Sequence, residues 1–189
     1  MRRAVIACLV LAGATSVASW SETATRFHEA SWSETATRFH QVDGRAWAGG
    51  QPSEEDLALF CGVGVRTVID LRQEVEHDVD AEEMASQRLG MVFVHIPVRA
   101  DAPEDRDADA FLAATSHAQA FPLLVHCASG NRAAAFWMIR RLVVEGWTPA
   151  AAEGEARRIG LRSAALRDFA LDYASRRLAA VGGPEEDEP

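Results

Sequence analysis

Between residues 45 and 178 short apolar runs alternate with stretches of helical character, and no other feature constrains the fold as tightly. The strand candidates are Arg45 to Ala48, Arg66 to Leu71 (RTVIDL), Met91 to Val98 (MVFVHIPV) and Pro122 to His126 (PLLVH). The helix candidates are Pro52 to Phe60, Asp80 to Arg88, Ala108 to Ala118, Asn131 to Glu145, Pro149 to Ile159 and Ser163 to Leu178. Ser53 can cap a helix whose first turn carries Glu54, Glu55 and Asp56, acids that favour a helix N-terminus. Thr148 followed by Pro149 supplies a cap and a preset φ. Strands separated by helices pair in parallel. The expected fold is therefore α/β: a mainly parallel central sheet with helices on both faces. Ligands of such sheets bind beyond the carboxyl ends of the strands. Trp137, Met138 and Ile139 read as core, as does His95 in mid-strand.

One stretch at such a carboxyl end carries the chemistry: LLVHCASGNRA, from Leu123 to Ala133. A buried strand runs into Cys127, a loop follows to Arg132, and an apolar helix starts at once. Successive backbone N–H groups in such a loop point inward and form an anion nest, to which the helix N-terminus adds partial positive charge. Gly130 allows a tight turn, and Arg132 offers a planar fork that matches phosphate or sulfate oxygens. The same field favours a thiolate at Cys127. A thiolate on the floor of an anion cradle can attack phosphorus or accept a sulfane sulfur.

These residues resemble a known family. HCASGNR is similar to the signature loop of the cysteine-dependent protein tyrosine and dual-specificity phosphatases. GGQPSEEDLALFCGVGVRTVIDLR, Gly49 to Arg72, resembles the start of compact dual-specificity-like members, and VFVHIPV the strand before their acid loop. The resemblance covers roughly Phe39 to Arg176 and is strongest to the bacterial beta-lactamase-hydrolase-like phosphatases. It implies a protein-tyrosine-phosphatase-like fold of the dual-specificity type and a metal-independent phosphomonoester hydrolase without cofactor. Cys127 would form a cysteinyl-phosphate. Arg132 and the N–H groups of Ala128, Ser129, Gly130, Asn131 and Arg132 would bind the phosphoryl oxygens, and His126 would help set the thiolate. Two departures stand out. Four residues separate Cys127 from Arg132 where most of the superfamily has five, and Ala133 replaces the usual Ser or Thr. The four-residue spacing is also that of rhodanese-like sulfurtransferases, which would carry a Cys127 persulfide. A third alternative is an anion-binding module with weak turnover.

A phosphatase needs a general acid for the leaving oxygen. The acidic loop Arg99 to Asp107 offers Asp101, nearest the strand end, with Asp105 second. Arg72 ends the strand beside the catalytic one and is expected either to line the anion pocket or to form a structural ion pair. His77 and His117 sit in polar stretches without ligand partners, and no metal spacing emerges.

The ends of the chain read differently. Arg2 and Arg3, the apolar run Ala4 to Ala14 and small residues around Val17 predict a signal peptide over 1–18, hence an exported, periplasmic protein with no stable membrane anchor after cleavage. SWSETATRFH occurs at Ser19 to His28 and again at Ser31 to His40, so 19–38 reads as a duplicated extension. The phosphatase-like domain then spans 39–178, and 179–189 is an acidic tail. The net charge of -9 disfavours nucleic acid, leaving a phosphorylated protein or small molecule as the expected partner. All 19 basic residues are Arg, because the chain has no Lys. That excludes a Walker-type phosphate loop and Schiff-base chemistry, both of which need an amine.

Overall fold

The computed structural model describes residues 38–181. The signal segment, the first copy of the repeat, most of the second and the acidic tail from residue 182 lie outside the described residues, while 179–181, expected in the tail, continue the last helix. Five strands run in the order β1 (Phe39–Asp43), β2 (Ala46–Gly49), β3 (Thr67–Asp70), β4 (Val92–His95) and β5 (Leu123–His126) along the chain. The helices are α1 (Glu54–Gly62), α2 (Val79–Arg88), α3 (Asp105–Ala114), α4 (Asn131–Val143), α5 (Pro149–Ile159) and α6 (Ala164–Val181). Short 3₁₀ turns occupy Glu74–Glu76 and Ala118–Ala120. Across the sheet the order is β1-β2-β5-β3-β4. β2, β5, β3 and β4 are parallel, and β1 closes one edge antiparallel to β2. The expected mainly parallel sheet is present.

Alternation along the strands sends side chains to two cores. Ile69, Leu123, Val125 and Cys127 join the cluster that holds Phe111, Phe136 and Leu166 of α3, α4 and α6. Val68 and Leu124 face the other way, onto Leu57 and Phe60 of α1 and Ala85 of α2. Helices therefore cover both faces. α4 is buried almost all round, and Ala133, Ala134 and Ala135 let it approach the sheet closely.

Sequence patterning placed the caps of two helices. Ser53 accepts from the Asp56 N–H at 3.1 Å while Asp56 returns a bond to the Ser53 N–H at 2.7 Å. Thr148 caps α5. The patterning missed β1, whose FHQVD sequence belongs partly to the repeat and lies at a sheet edge. Its anchor is Phe39, only 3% exposed, edge-on to Phe60 with ring centroids 5.0 Å apart. Arg38 adds a forked ion pair to Asp56 at 2.5–2.6 Å. Truncating a buried ring of this kind costs about 3–5 kcal/mol. Helix α3 begins at Asp105 rather than Ala108 and stops at Ala114, where the Thr115 hydroxyl turns back to donate to the Phe111 carbonyl at 2.9 Å.

The register levels four residues at the carboxyl edge. Asp70 lies opposite both His126 and His95, and Gly49 lies opposite His126. Everything discussed next is built on that row.

Candidate active site

Cys127 is the first residue beyond β5, and its loop lies on a bed of backbone. The Cys127 N–H donates to the Gly49 carbonyl at 3.3 Å, and the Gln51 N–H donates to the Ala128 carbonyl at 3.3 Å. Such close approach demands glycine beneath. A Cβ on Gly49 would meet the Arg38 carbonyl oxygen and the Phe39 ring at 2.5 Å. Gly130 adopts φ +87°, and a Cβ there would meet the Ile159 carbonyl at 3.1 Å. That left-handed turn points the Gly130 N–H at the Cys127 Sγ, 3.2 Å away. A backbone donor aimed at sulfur stabilises the thiolate over the thiol. Cys127 is 1% exposed, whereas Ala128 and Ser129 are exposed, so the cradle has a sealed floor and an open rim.

Asn131 opens α4, and its side-chain oxygen accepts from the backbone N–H groups of Arg162 at 2.7 Å and Ser163 at 3.1 Å. This ties the loop to the α5–α6 connection.

Arg132 lies one residue into the helix and is 5% exposed. Its Nη1 and Nη2 donate to the two carboxylate oxygens of Glu76, each at 2.6 Å, and Nη1 also donates to the Val98 carbonyl at 3.0 Å. The carboxylate grips the far end of the fork. The Nε edge makes none of these contacts. The hydrogen bond from Arg132 holds the Glu76 carboxyl, against burial, down at about 2. Burial opposes the Arg132 charge, but Glu76 and the neighbouring Cys127 raise its pKa above the ordinary value. Sequence reading missed Glu76. The three residues of its turn, Glu74-Val75-Glu76, show no pattern beyond two acids around an exposed valine.

Beneath the loop lies a second group of charges. Asp70 is fully buried, Arg72 is 4% exposed, Glu82 8% and His126 0%. Arg72 donates Nε and Nη2 to Asp70 at 2.9 and 3.0 Å, and Nη2 also reaches Glu82. Of the two roles expected for Arg72, the structural ion pair is the one formed. His126 Nε2 lies 2.8 Å from Glu82 Oε1, and its Nδ1 lies 3.8 Å from Asp70. His77 has Nε2 2.7 Å from Asp70 Oδ2. One expectation is corrected here. His95, expected in the core, is only part-buried and pairs through Nε2 with the Arg72 carbonyl at 2.7 Å. Asp70, Glu82 and His126 come within metal-ligating distance of one another, but Arg72 already bridges both carboxylates with its own positive charge. A cleft of about 180 Å³ opens between α1 and α2, lined by Gln51, Leu57, Arg72, His77 and Glu82 among others. Cys127 does not line it.

The structure does not bring the expected acids inward. The Asp101 side chain is 74% exposed and pairs with Arg99 at 3.0 Å, and this bond lowers its pKa. Asp105 is forked by Arg176 at 2.6 and 2.8 Å, which likewise lowers it. The root of the loop is at the site, however: Asp101 comes three residues after Val98, whose carbonyl touches Arg132. Cys61 and Cys127 are not joined in a disulfide, and the Cys61 thiol donates to the Leu89 carbonyl at 3.3 Å.

A mostly parallel sheet delivering a cysteine into a short loop, with an arginine one residue into the next helix, defines a phosphatase of the protein-tyrosine-phosphatase-like class. Comparison with known proteins agrees. Residues 13–165 match the family described as "DSP-PTPase phosphatase fused to NAD+ Kinase", and the chain belongs to that family. It is 29% identical over 106 residues to the "Beta-lactamase hydrolase-like protein" of Xylella fastidiosa, a stretch covering 54% of this chain and 24% of that one. The chain thus spans about a quarter of the length of the curated relatives it matches. Among solved structures, a DUF442 protein from Shewanella putrefaciens CN-32 superposes with a TM-score of 0.65 at 25% identity, over 76% of this chain and 97% of the other. TpbA of P. aeruginosa, solved in complex with pTyr, gives 0.61 at 22% identity over 79% and 93%. Family membership separates phosphatase from sulfurtransferase, which loop length alone left open. Among the described residues, no helix is long and apolar enough to cross a membrane.

Proposed function

We propose that the chain hydrolyses phosphomonoesters through a covalent intermediate on Cys127. The observation that carries this reading is the Gly130 N–H aimed at the Cys127 Sγ at 3.2 Å, on the floor of the loop that ends at Arg132. The thiolate attacks phosphorus, and an S–P bond forms as the ester P–O bond breaks. The equatorial oxygens lie against the backbone N–H groups of residues 128–132 and the Nε edge of Arg132. A proton passes from a carboxylic acid to the leaving oxygen. Water then attacks phosphorus, the S–P bond breaks, and inorganic phosphate leaves with the thiolate restored.

Asp101 is the proposed acid. Arg99 keeps it ionised in the conformation described, so acid duty requires that exposed pair to open and the loop to fold over the cradle. The substrate is a phosphorylated protein or small molecule, with pTyr a natural first probe given the TpbA complex. The amino-terminal signal reading adds a periplasmic location to the proposal.

The test is phosphate release from pTyr and from aryl phosphates of graded leaving-group acidity, under reducing conditions. Cys127→Ser should abolish turnover with the fold intact. Asp101→Asn should slow esters with basic leaving groups more than those with acidic ones, because a general acid matters most when the leaving oxygen is basic. Substantial turnover by Cys127→Ser would remove the covalent mechanism. Equal slowing across the series would remove Asp101 as the acid.

A further inference from the structure

We propose that the first copy of the repeat is a reserve edge strand: Arg26 and Phe27 can enter the dock that holds Arg38 and Phe39 of the same chain, so that either copy can close the sheet beside the anion loop.

The dock makes few demands on sequence. Phe39 is 3% exposed and shares a buried cluster with Trp47 of β2 and with Leu57 and Phe60 of α1. Arg38 forks both carboxylate oxygens of Asp56 at 2.5–2.6 Å. Val42, 9% exposed, is the other inward residue of β1. The rest of the hold is the ladder, with Phe39 opposite Gly49, His40 opposite Ala48 and Gln41 opposite Trp47. Ladder hydrogen bonds are made by backbone and ask nothing of the side chains.

The first copy meets these demands. Ser19 to His28 and Ser31 to His40 are identical, so Arg26, Phe27 and His28 repeat Arg38, Phe39 and His40. The match runs on beyond the repeat. Glu29 would fall at the exposed Gln41, Ala30 at the buried Val42 and Ser31 at the half-buried Asp43. Polar residues stay outward and apolar ones inward, the condition that fixes a register.

Two differences explain why the second copy is the resident. Only Gly44 and Arg45 separate β1 from β2, and the Arg45 N–H donates to Asp43 Oδ1 at 2.7 Å. The first copy would close its hairpin through residues 32–45 instead, a lengthening that lowers the odds of closure roughly 20-fold. Ala30 would also leave part of the Val42 site unfilled. The tether favours the same chain over a neighbour, because a short flexible link holds its end at roughly millimolar effective concentration.

Occupancy of the dock bears on the anion loop. A Cβ on Gly49 would meet the Arg38 carbonyl oxygen and the Phe39 ring at 2.5 Å, and the Gly49 carbonyl accepts from the Cys127 N–H at 3.3 Å. The edge strand therefore backs the residue on which the loop rests. Strands at an edge open more readily than the core, and a reserve keeps this backing in place when the resident frays.

The test is thermal unfolding of the full chain and needs no substrate. Phe27→Asp should leave the midpoint within about 1 °C of wild type, because the reserve is idle while the resident is docked. Phe39→Asp should lower it by roughly 6–12 °C and still unfold cooperatively, because the reserve takes over. Adding Phe27→Asp to Phe39→Asp should cost at least about 5 °C more, or abolish folding. A double variant no worse than Phe39→Asp overturns the proposal. So does a Phe27→Asp loss that is as large alone as in combination, which would place the first copy elsewhere. Ala30→Val fills the Val42 site only when the reserve is docked. It should raise the midpoint of Phe39→Asp by roughly 2–4 °C and leave the wild-type midpoint unchanged. Should Phe39→Asp fail to fold, failure of Ala30→Val to restore it overturns the proposal. The Phe39→Asp midpoint should not change over roughly a hundredfold range of protein concentration; a rise with concentration would make a neighbouring chain the occupant and overturn the docking within one chain.

Discussion

Two arginines of α4, nine positions apart, show how one residue type builds two kinds of site. Arg132 and Arg141 are buried to nearly the same degree, 5% and 4% exposed, and each is forked by a glutamate. Arg141 is saturated. Nε and Nη2 donate to Glu155 at 2.7 and 2.9 Å, Nη1 reaches Glu145, Nη2 reaches the Val42 carbonyl, and the Trp147 ring lies 4.4 Å away. It ties α4 to α5 and to β1 and offers nothing further to a ligand. Arg132 is held through Nη1 and Nη2 by Glu76 and the Val98 carbonyl, and its Nε makes none of these bonds. Burial with saturation makes a brace, whereas burial with one edge spare suits the binding role proposed for Arg132, because the ordering cost is met in folding rather than on binding.

Matched lysine substitutions break this comparison most sharply. An ammonium keeps the charge but cannot form the planar fork. Arg132→Lys should cost roughly 10²–10³-fold in turnover even well below its melting temperature, a loss that any accompanying drop in stability does not account for. Arg141→Lys should cost about 1.5–3 kcal/mol of stability and leave turnover unchanged well below the melting temperature. Parallel losses in both variants, by thermal scans and phosphate release, would erase the distinction.

Glu76→Gln should give a smaller effect, on the order of tenfold in kcat/KM. The amide keeps one hydrogen bond but frees the guanidinium to wander, and small misplacements near the chemistry are costly. Arg132 is then charged but loosely aimed, so the oxyanion affinity should fall together with turnover. A variant that binds phosphate more tightly would mean that Glu76 competes with the ligand instead of aiming the arginine.

The smallest effect concerns acid stability. Glu76 and Glu82 have folded-state values near 2 against an ordinary value of 4.5. Depressed carboxyls contribute stability that is present above about pH 4.5 and lost as the pH falls towards 2. The buried Glu82 contributes on the order of 2–3 kcal/mol. Glu82→Gln should therefore flatten the acid limb of a urea-midpoint against pH curve between those values. An acid limb of unchanged slope would show that the native state gains nothing from this ionisation.

The sequence made some of this legible and hid the rest for physical reasons. The strand–Cys–loop–Arg–helix order is local, and local order survives in one dimension. Cys127, Gly130, Arg132 and the capped starts of α1 and α5 were therefore readable. Partnerships were not. Glu76 reaches Arg132 across 56 positions, and Glu82 reaches His126 across 44, from a polar turn and a polar helix that look like solvated surface. His77 has the same history with Asp70. Asp101 shows the reverse failure: proximity to a strand end suggested inward placement, but a three-residue step beyond Val98 carries it into solvent beside Arg99. β1 escaped notice because an edge strand has one paired side and little apolar alternation to mark it.

The most direct test of the covalent mechanism is to trap the intermediate. Asp101→Asn or wild-type protein is mixed with an aryl phosphate that has a good leaving group, quenched within milliseconds and digested, and its peptides are mapped by mass. A phosphate on the Cys127 peptide, forming with a stoichiometric burst of phenol and absent from Cys127→Ser, is the expected result. Turnover without a burst, or with phosphate on any other residue, would contradict the assignment of Cys127 as the nucleophile.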